Sequence, residues 1–285
     1  MYTIIIPTFN RKLILERTIK NLNLQTNKQF KIIIVNDGSK DGTDEMLDNF
    51  DNLIVLNSDG DLWWTGSVNL GIKYVLSNFQ SDNGIILLND DVIIKENWFE
   101  SLSRDIKNFP NCLIGCLNVD ATDMDTITYA GKRTHPWFAY SNYYLIGKKL
   151  SELKEIPNIE PFDLIGRGLY IPIQAIKQLG FFDSKRFKHR GDTEFPLRAK
   201  INGYKLKISH TSIVGQMKQL TSGIDTKKKY SLRDIKEKFF HFKSSSYIKY
   251  LYYYSKTHAN GNFIKFFVFF SCRIIANLND FFRRL

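Results

Sequence analysis

Cysteine, histidine and proline are scarce in this chain, and long apolar runs are missing. Its 285 residues include three cysteines, five histidines and seven prolines. Cys112, Cys116 and Cys272 are too few, and odd in number, for a disulfide framework. No histidine or further cysteine stands near them at zinc-ligand spacing. They read as small apolar core side chains, in keeping with a reducing compartment. The longest uncharged apolar run near the end, Phe266 to Cys272, is closed by Lys265 and Arg273. That is far short of the ~20 residues needed to cross a bilayer. Met1 leads straight into an apolar strand, so no signal peptide is expected. No internal repeat is visible.

What is present is globular in character. Hydrophobic residues make up 43% of the chain and charged residues 24%, which excludes wholesale disorder. The length suits one large α/β domain with an appendage. The net charge of +11 is unevenly spread. Residues 1–216 hold 26 Lys/Arg against 25 Asp/Glu, whereas residues 217–285 hold 14 against 4. The basic character therefore belongs to a tail, which suits a polyanion such as lipid head groups or nucleic acid.

The first half alternates strand and helix signals. Thr3 to Ile6, Lys31 to Val35, Leu53 to Leu56, Ile85 to Leu88 and Leu113 to Val119 read as strands. Helical spacing joins Leu15, Ile19 and Leu22, and Asp44 to Phe50 reads as a short helix. The same spacing joins Val68, Ile72, Val75, Leu76 and Phe79, then Trp98, Phe99, Leu102 and Ile106. The strands are continuous apolar runs, which predicts a mostly parallel sheet with helices on both faces. Ligands of such sheets bind beyond the carboxyl ends of the strands. The polar clusters stand there: Pro7 to Arg11, Asn36 to Ser39, Asp59 to Asp61, and Asn89 to Asp91. They are expected to share one crevice. From about residue 120 the alternation weakens, and residues 132–160 read as a loop-rich aromatic wall.

Each motif has two readings. Asp90 and Asp91 follow an apolar strand; a hard cation with oxygen ligands would relieve their repulsion, or they form a polar turn. Asp37 accepts either a pyrimidine imide N–H or its own turn's backbone. Gly60-Asp61-Leu62-Trp63-Trp64-Thr65-Gly66-Ser67 leads into the helix that holds Asn69. Its glycines permit close approach of a ligand, the helix start offers N–H groups to phosphate, and the tryptophans either stack on a ligand or anchor a core, with at least one buried. Arg167, between two glycines, is a phosphate ligand or a solvated loop residue. Asp192 and Glu194 lie two apart and on different helix faces, with Arg198 placed to pair with Glu194. Phe181-Phe182-Asp183 reads as a buried loop anchor, and His210 as a structural residue of a strand from Leu206 to Gln216.

In series, these stretches resemble glycosyltransferase family 2 with its GT-A fold. They are Ile-Ile-Ile-Pro-Thr-Phe-Asn-Arg at 4–11, Leu-Gln-Thr at 24–26, Ile-Ile-Val-Asn-Asp-Gly-Ser-Lys-Asp-Gly-Thr at 33–43, Gly-Asp-Leu-Trp-Trp-Thr-Gly-Ser-Val-Asn-Leu-Gly at 60–71, Leu-Leu-Asn-Asp-Asp-Val at 87–92, Gly-Asp-Thr-Glu-Phe-Pro-Leu-Arg-Ala at 191–199 and Gly-Tyr at 203–204. The resemblance covers roughly residues 1–216. It implies a nucleotide-sugar half over about 1–120 and an acceptor half over about 121–216; composition and spacing make 217–285 a helical, basic, aromatic region suited to membrane association. It implies that Thr8 and Asp37 hold base and ribose, and that Pro7, Asn10, Arg11, Gly60, Asp61, Trp64, Gly66, Asn69, Asn89, Asp90 and Arg167 line the donor site. Asp91 takes the metal-binding place, Asp192 the general base, and Gln216 the place where relatives often carry a metal-binding histidine. Gly191 stands where Glu is common, and Ile165 where Asn is.

The resulting expectation is an inverting transferase that uses Mg2+ or Mn2+ and a nucleoside-diphosphate sugar. The acceptor is a glycan or lipid-linked glycan of surface polysaccharide, such as capsule or O-antigen, with rhamnosyltransferase-like members as the nearest type. The place is the cytoplasm, peripheral on the inner face of the membrane, with Phe263, Phe266, Phe267, Phe270, Ile274, Leu278 and Phe281 as the apolar stripe and Lys265, Arg273, Arg283 and Arg284 as the basic charge. Aromatic density favours lipid over nucleic acid as the tail's partner. Two alternatives remain. A sugar-nucleotide pyrophosphorylase would need a Gly-rich basic loop that Pro7-Thr8-Phe9-Asn10 does not provide. A non-catalytic scaffold would not need Asp91 and Asp192.

Overall fold

The structure is a computed structural model that describes residues 1–79, 83–156, 159–217 and 230–285. The strands are β1 (Tyr2–Thr8), β2 (Phe30–Asn36), β3 (Leu53–Asn57), β4 (Gly84–Leu87), β5 (Val92–Ile94), β6 (Cys112–Asp120), β7 (Ile127–Tyr129), β8 (Lys132–Thr134), β9 (Ser141–Tyr143), β10 (Leu169–Pro172) and β11 (Lys205–Gln216). The α-helices are α1 (Lys12–Asn23), α2 (Thr43–Leu47), α3 (Trp63–Asn78), α4 (Trp98–Asn108), α5 (Ile173–Leu179), α6 (Gly191–Ile201), α7 (Asp234–Phe240), α8 (Ile248–Ala259) and α9 (Phe263–Arg283).

Side-chain pattern accounts for most of these. β1 and β2 bury residues on both faces because helices cover both faces. The stripes Leu15/Ile19/Leu22, Val68/Ile72/Val75 and Trp98/Phe99/Leu102/Ile106 are the buried faces of α1, α3 and α4. The main sheet runs β3-β2-β1-β4-β10-β6-β11-β5, with β7 added beside β6. Pairing is parallel along β3, β2, β1 and β4 and again between β6 and β11, while β10 and β5 run against their neighbours. The carboxyl ends of β1, β2 and β4 therefore lie on one edge, where the polar clusters begin.

Some expectations are corrected. The helix foreseen to Phe50 stops at Leu47, because Asn49 folds its side chain back onto the Glu45 and Met46 carbonyls. Residues 132–160 are not only loop: β8 and β9 form a small antiparallel ribbon that presents Tyr143, with Trp137, Phe138 and Tyr140 exposed at its turn. Residues 157–158 of that stretch lie outside the described residues. Asp183 is half-exposed rather than buried, pairing with Arg186 at 2.9 Å; the burial belongs to Phe182.

The C-terminal region, of which residues 218–229 lie outside the described residues, shares a core with the rest. Tyr250, Leu251 and Tyr254 of α8 and Phe269 of α9 pack with Phe187 and with Leu197 of α6. Tyr254 and Lys132 both donate to the fully buried Asp163, which ties α8 to the loop before β10. The apolar stripe foreseen on α9 is split. Phe281 is fully buried, and Phe266, Phe270 and Ile274 are half-buried, with Phe266 and Phe270 against Tyr252 of α8. The outward face is Phe263, Ile264, Phe267, Ile275, Leu278 and Phe282. Both faces of α9 are apolar, so spacing alone did not tell the packed one from the open one. Among the described residues no helix is long and apolar enough to cross a membrane.

Candidate active site

The crevice is assembled by its own polar side chains. After β1 the chain turns through Asn10, whose φ of 52° is left-handed. Asn10 Oδ1 accepts from the Lys40 N–H at 2.7 Å, and its N–H donates to Ser39 Oγ at 2.9 Å, joining the loop after β1 to the loop after β2. Asp37, buried at the end of β2, accepts from Ser58 Oγ at 2.7 Å, from the Leu62 N–H at 3.1 Å and from the Trp63 N–H at 2.8 Å. It neutralises the open N-terminus of α3, an electrostatic as well as a hydrogen-bond gain. Gly38 and Gly60 are in contact there. A Cβ on Gly38 would lie 2.9 Å from the Gly60 Cα, and both residues have positive φ.

Beyond β4 stand Asn89, Asp90 and Asp91. Asp90 is buried; it accepts from Thr8 Oγ1 at 2.9 Å and from Arg11 Nη1 at 2.8 Å. Burial pushes its carboxyl up to about 6, with Arg11 pulling down and Asp91 adding to the rise. Asp91 Oδ2 lies 3.3 Å from the same Arg11 nitrogen. Its Oδ1 is buried and has no hydrogen-bond partner among the described residues. Thr18 of α1 donates to the Asp90 carbonyl at 2.7 Å and holds this turn in place. That role was invisible in sequence, where Thr18 is one more polar residue of a helix.

Trp64 joins this edge to the second half of the chain. Its Nε1–H donates to Asn89 Oδ1 at 3.1 Å, and its ring lies against Gly166, where a Cβ would come within 2.5 Å of the indole. The Gly166 N–H donates to Asp192 Oδ2 at 2.9 Å. Asn89, Trp64, Gly166 and Asp192 thus form one chain of contacts, although they come from four separate stretches of sequence. Neither Trp63 nor Trp64 is fully buried, contrary to expectation: Trp64 sits edge-on to Phe182, and Trp63 lies beneath Phe242 and Lys243. Arg167 is half-buried beside them. Burial lowers its affinity for the proton, while the charges of Asp91 and Asp192 act the other way.

Not every candidate faces the crevice. Asn69 has both ends of its amide on the Phe182 main chain, at 2.8 and 3.0 Å. Asp61 is exposed, accepting from Trp63 Nε1 at 2.9 Å and lying 3.5 Å from Lys188. Gly66 lies against Leu62, and Pro7 is an interior residue of β1 paired with Val35. Gln216 ends β11 opposite Val92, one residue beyond Asp91. Glu194 is held by Arg198 at 3.0 and 3.3 Å and lines a 360 Å³ cavity with Phe181, Arg186 and Tyr253.

Asp91 Oδ1, a buried anionic acceptor without a donor, fits a divalent cation, with Asp90 beside it. Among the described residues no group of three or more His, Cys, Asp or Glu converges on a metal position. The fit is therefore to a cation of the kind held by one or two carboxylates and completed by substrate phosphates.

A family model described as glycosyl transferase family 2 matches residues 3–167, more than half of the sequence. The chain belongs to that family. An uncharacterized glycosyltransferase of Rickettsia typhi is 27% identical over 203 residues, which cover 68% of this family 2 chain and 58% of that relative. The chain thus spans less than two thirds of the relative's length. Among solved structures, S. aureus TarS residues 1–349 in complex with UDP aligns with a TM-score of 0.60 at 13% identity, over 99% of this chain and 72% of that one. GalNAc-T7 with UDP, GalNAc and Mn2+ aligns with a TM-score of 0.62 at 15% identity, over 98% and 57%. The family 2 fold here is accordingly the GT-A fold.

Proposed function

We propose that the chain is a metal-dependent, inverting glycosyltransferase that moves a hexosyl or deoxyhexosyl unit from a nucleoside-diphosphate sugar to a glycan or lipid-linked glycan acceptor in surface polysaccharide synthesis. The observation that carries this reading is the single contact chain from the Asn89–Asp91 turn through Trp64 and Gly166 to Asp192. It joins a carboxylate with an unpartnered oxygen to a second, half-exposed carboxylate, and we read the two as opposite sides of one cleft. That is what a displacement needs, since the leaving diphosphate and the attacking hydroxyl must stand on opposite faces of the transferred sugar.

Asp192 Oδ2 is fixed by Gly166, which leaves Oδ1 to take the proton of the acceptor hydroxyl. The acceptor hydroxyl oxygen, losing its proton to Asp192, bonds to the anomeric carbon as the bond to the diphosphate oxygen breaks, and the anomeric configuration inverts. Mg2+ or Mn2+, held by Asp91 with Asp90 at its side, would offset charge on the departing nucleoside diphosphate. Arg167, beside both carboxylates, adds positive charge where that group leaves. Arg11 balances the two acids and keeps the turn intact. Thr8 and Asp37, the latter already closing the start of α3, stand at the base and ribose end. GalNAc-T7 was solved with UDP and Mn2+, which supports this class of donor complex.

The reading is tested with a panel of UDP-, GDP- and dTDP-sugars in the presence of Mn2+ or Mg2+. At 100 times Kd, binding should stabilise the fold by about 2.7 kcal/mol, a shift of several degrees. One nucleotide class should shift the melting temperature only with metal present. A flat response across the panel would reject the assignment.

An acceptor presented at a membrane surface is supported by the open face of α9. Its outward face is apolar, the region around it carries most of the net positive charge, and Lys249, Lys256 and Arg283 are exposed. Such a face suits an anionic bilayer. Phe267 and Phe282 are both more than half exposed, so replacing both with Glu leaves the packed face untouched. Burying one Phe contributes about 1.5–3 kcal/mol, so the double variant should partition onto anionic vesicles at least tenfold more weakly. Equal recovery of wild type and variant would remove the membrane role.

A further inference from the structure

Two cations of the cleft have no hydrogen-bonded or ion-paired partner among the described residues. Among the described residues, neither Arg167 nor Arg190 makes a side-chain hydrogen bond or ion pair, and each keeps its Nε buried. Both residues are half-buried, and a guanidinium whose Nε is withdrawn from water without a hydrogen-bonded counter-charge points to an anion supplied by a ligand. Arg167, beside Asp91 and Asp192, faces the leaving diphosphate of the proposed donor. Arg190 is a different case. It stands two residues before Asp192, with a left-handed φ of 72°, and its guanidinium is 5.8 Å from the ring of Tyr250 on α8.

The neighbourhood of Arg190 adds a neutral imidazole and one further positive charge. His189 precedes it, and burial together with the charges of Arg190, Lys243 and Arg11 holds that imidazole neutral to lower pH than usual. Lys243 reaches in from the C-terminal region, its Nζ 4.7 Å over the Trp63 ring. The donor does not match this surplus. The two charges of a sugar diphosphate are balanced by a divalent metal, Arg11 is matched by Asp90 and Asp91, and the charge developed on leaving falls to Arg167.

We infer that Arg190, with Lys243 and His189, forms an acceptor-side anion subsite, and that the acceptor carries a phosphate group next to the hydroxyl that attacks. The inference rests on the glycosyltransferase reading and names its second substrate class. The phosphate can belong to a lipid-linked glycan, which the open face of α9 would bring to the cleft, or to a soluble phosphoglycan. The positive φ at Arg190 turns the chain back just before Asp192, and Thr193 caps that turn by donating to the Arg190 carbonyl at 3.1 Å. Subsite and general base are thereby tied to one turn, so an anchored phosphate fixes the distance of its neighbouring hydroxyl from Asp192.

The test uses the full chain saturated with its nucleoside diphosphate and Mn2+, titrated by calorimetry with phenyl phosphate in one arm and farnesyl phosphate in the other. The saturated protein should bind at least one probe, with preference for farnesyl phosphate indicating a lipid-linked source. Arg190→Ala should weaken that binding about tenfold or more, the size of a lost charge-assisted hydrogen bond, with nucleotide affinity changed less than twofold. Arg190→Lys, which keeps the charge, should recover part of the loss and controls for folding. No probe binding to the saturated wild type, or a loss of nucleotide rather than probe affinity in Arg190→Ala, overturns the subsite. Failure of the wild type to bind any nucleoside diphosphate would instead strike the glycosyltransferase reading.

Discussion

Replacing Asp91 with Ala should abolish metal-dependent binding of nucleoside diphosphate and reduce transfer by at least 10²–10³-fold, the scale set by removing one preorganised electrostatic contact from an active site. The same variant should be no less stable than wild type in the absence of ligand, and slightly more so. Asp91 Oδ1 is a buried acceptor without a donor, a defect that costs about 1–3 kcal/mol. Its Oδ2 contact to Arg11 is longer than the one that residue makes to Asp90, 3.3 Å against 2.8 Å. Arg11 therefore keeps its better partner when Asp91 is removed. A structural role for Asp91 predicts the opposite pairing of results, a lower melting temperature with binding retained. Thermal melting without ligand and calorimetry with Mn2+ and nucleoside diphosphate distinguish the two. Unchanged metal-dependent binding in the folded variant would exclude Asp91 as a ligand.

The edge that carries Asp91 was legible in sequence because its strands are continuous apolar runs ending in polar turns. Strands β1, β2, β3 and β4 follow that rule, and their order places the turns together. What was not legible depends on contacts that are remote in sequence. Leu169 to Pro172 is a short apolar stretch; it becomes a strand because β4 and β6 leave a slot for it and pair with it in antiparallel fashion. β5 is three residues long and exists through its pairing with the end of β11. The duties of individual polar residues were equally hidden. Asn69 and Asp37 look alike as donor-site candidates, yet one clamps the Phe182 main chain and the other closes the start of α3. Arg190 carries no signal in the sequence; its unpartnered Nε is a property of packing.

Asp192→Asn should lower the rate of transfer by about 10²–10⁴-fold, the range for loss of a general base, and leave donor affinity nearly unchanged. The geometry makes Asn a clean replacement. Asp192 Oδ2 accepts from the Gly166 N–H at 2.9 Å, and an Asn side-chain oxygen can accept the same bond. The turn that carries Gly166 and Arg167 then stays where it is, with Gly166 still against Trp64. What changes is the second position of the group, an acceptor oxygen in Asp and an NH2 donor in Asn, which cannot remove a proton from a sugar hydroxyl. Asp192→Ala would lose the Gly166 anchor as well and should raise the donor KM along with the loss in kcat. The split between the two variants separates a base from a loop anchor, which would show similar losses in both. Glu194 is the neighbouring alternative, but Arg198 holds both of its oxygens at 3.0 and 3.3 Å, and it lines the cavity with Tyr253 rather than the contact chain through Trp64. Transfer by Asp192→Asn at close to the wild-type rate, with chemistry shown to be rate-limiting, would move the assignment to Glu194 and require that salt bridge to open during turnover.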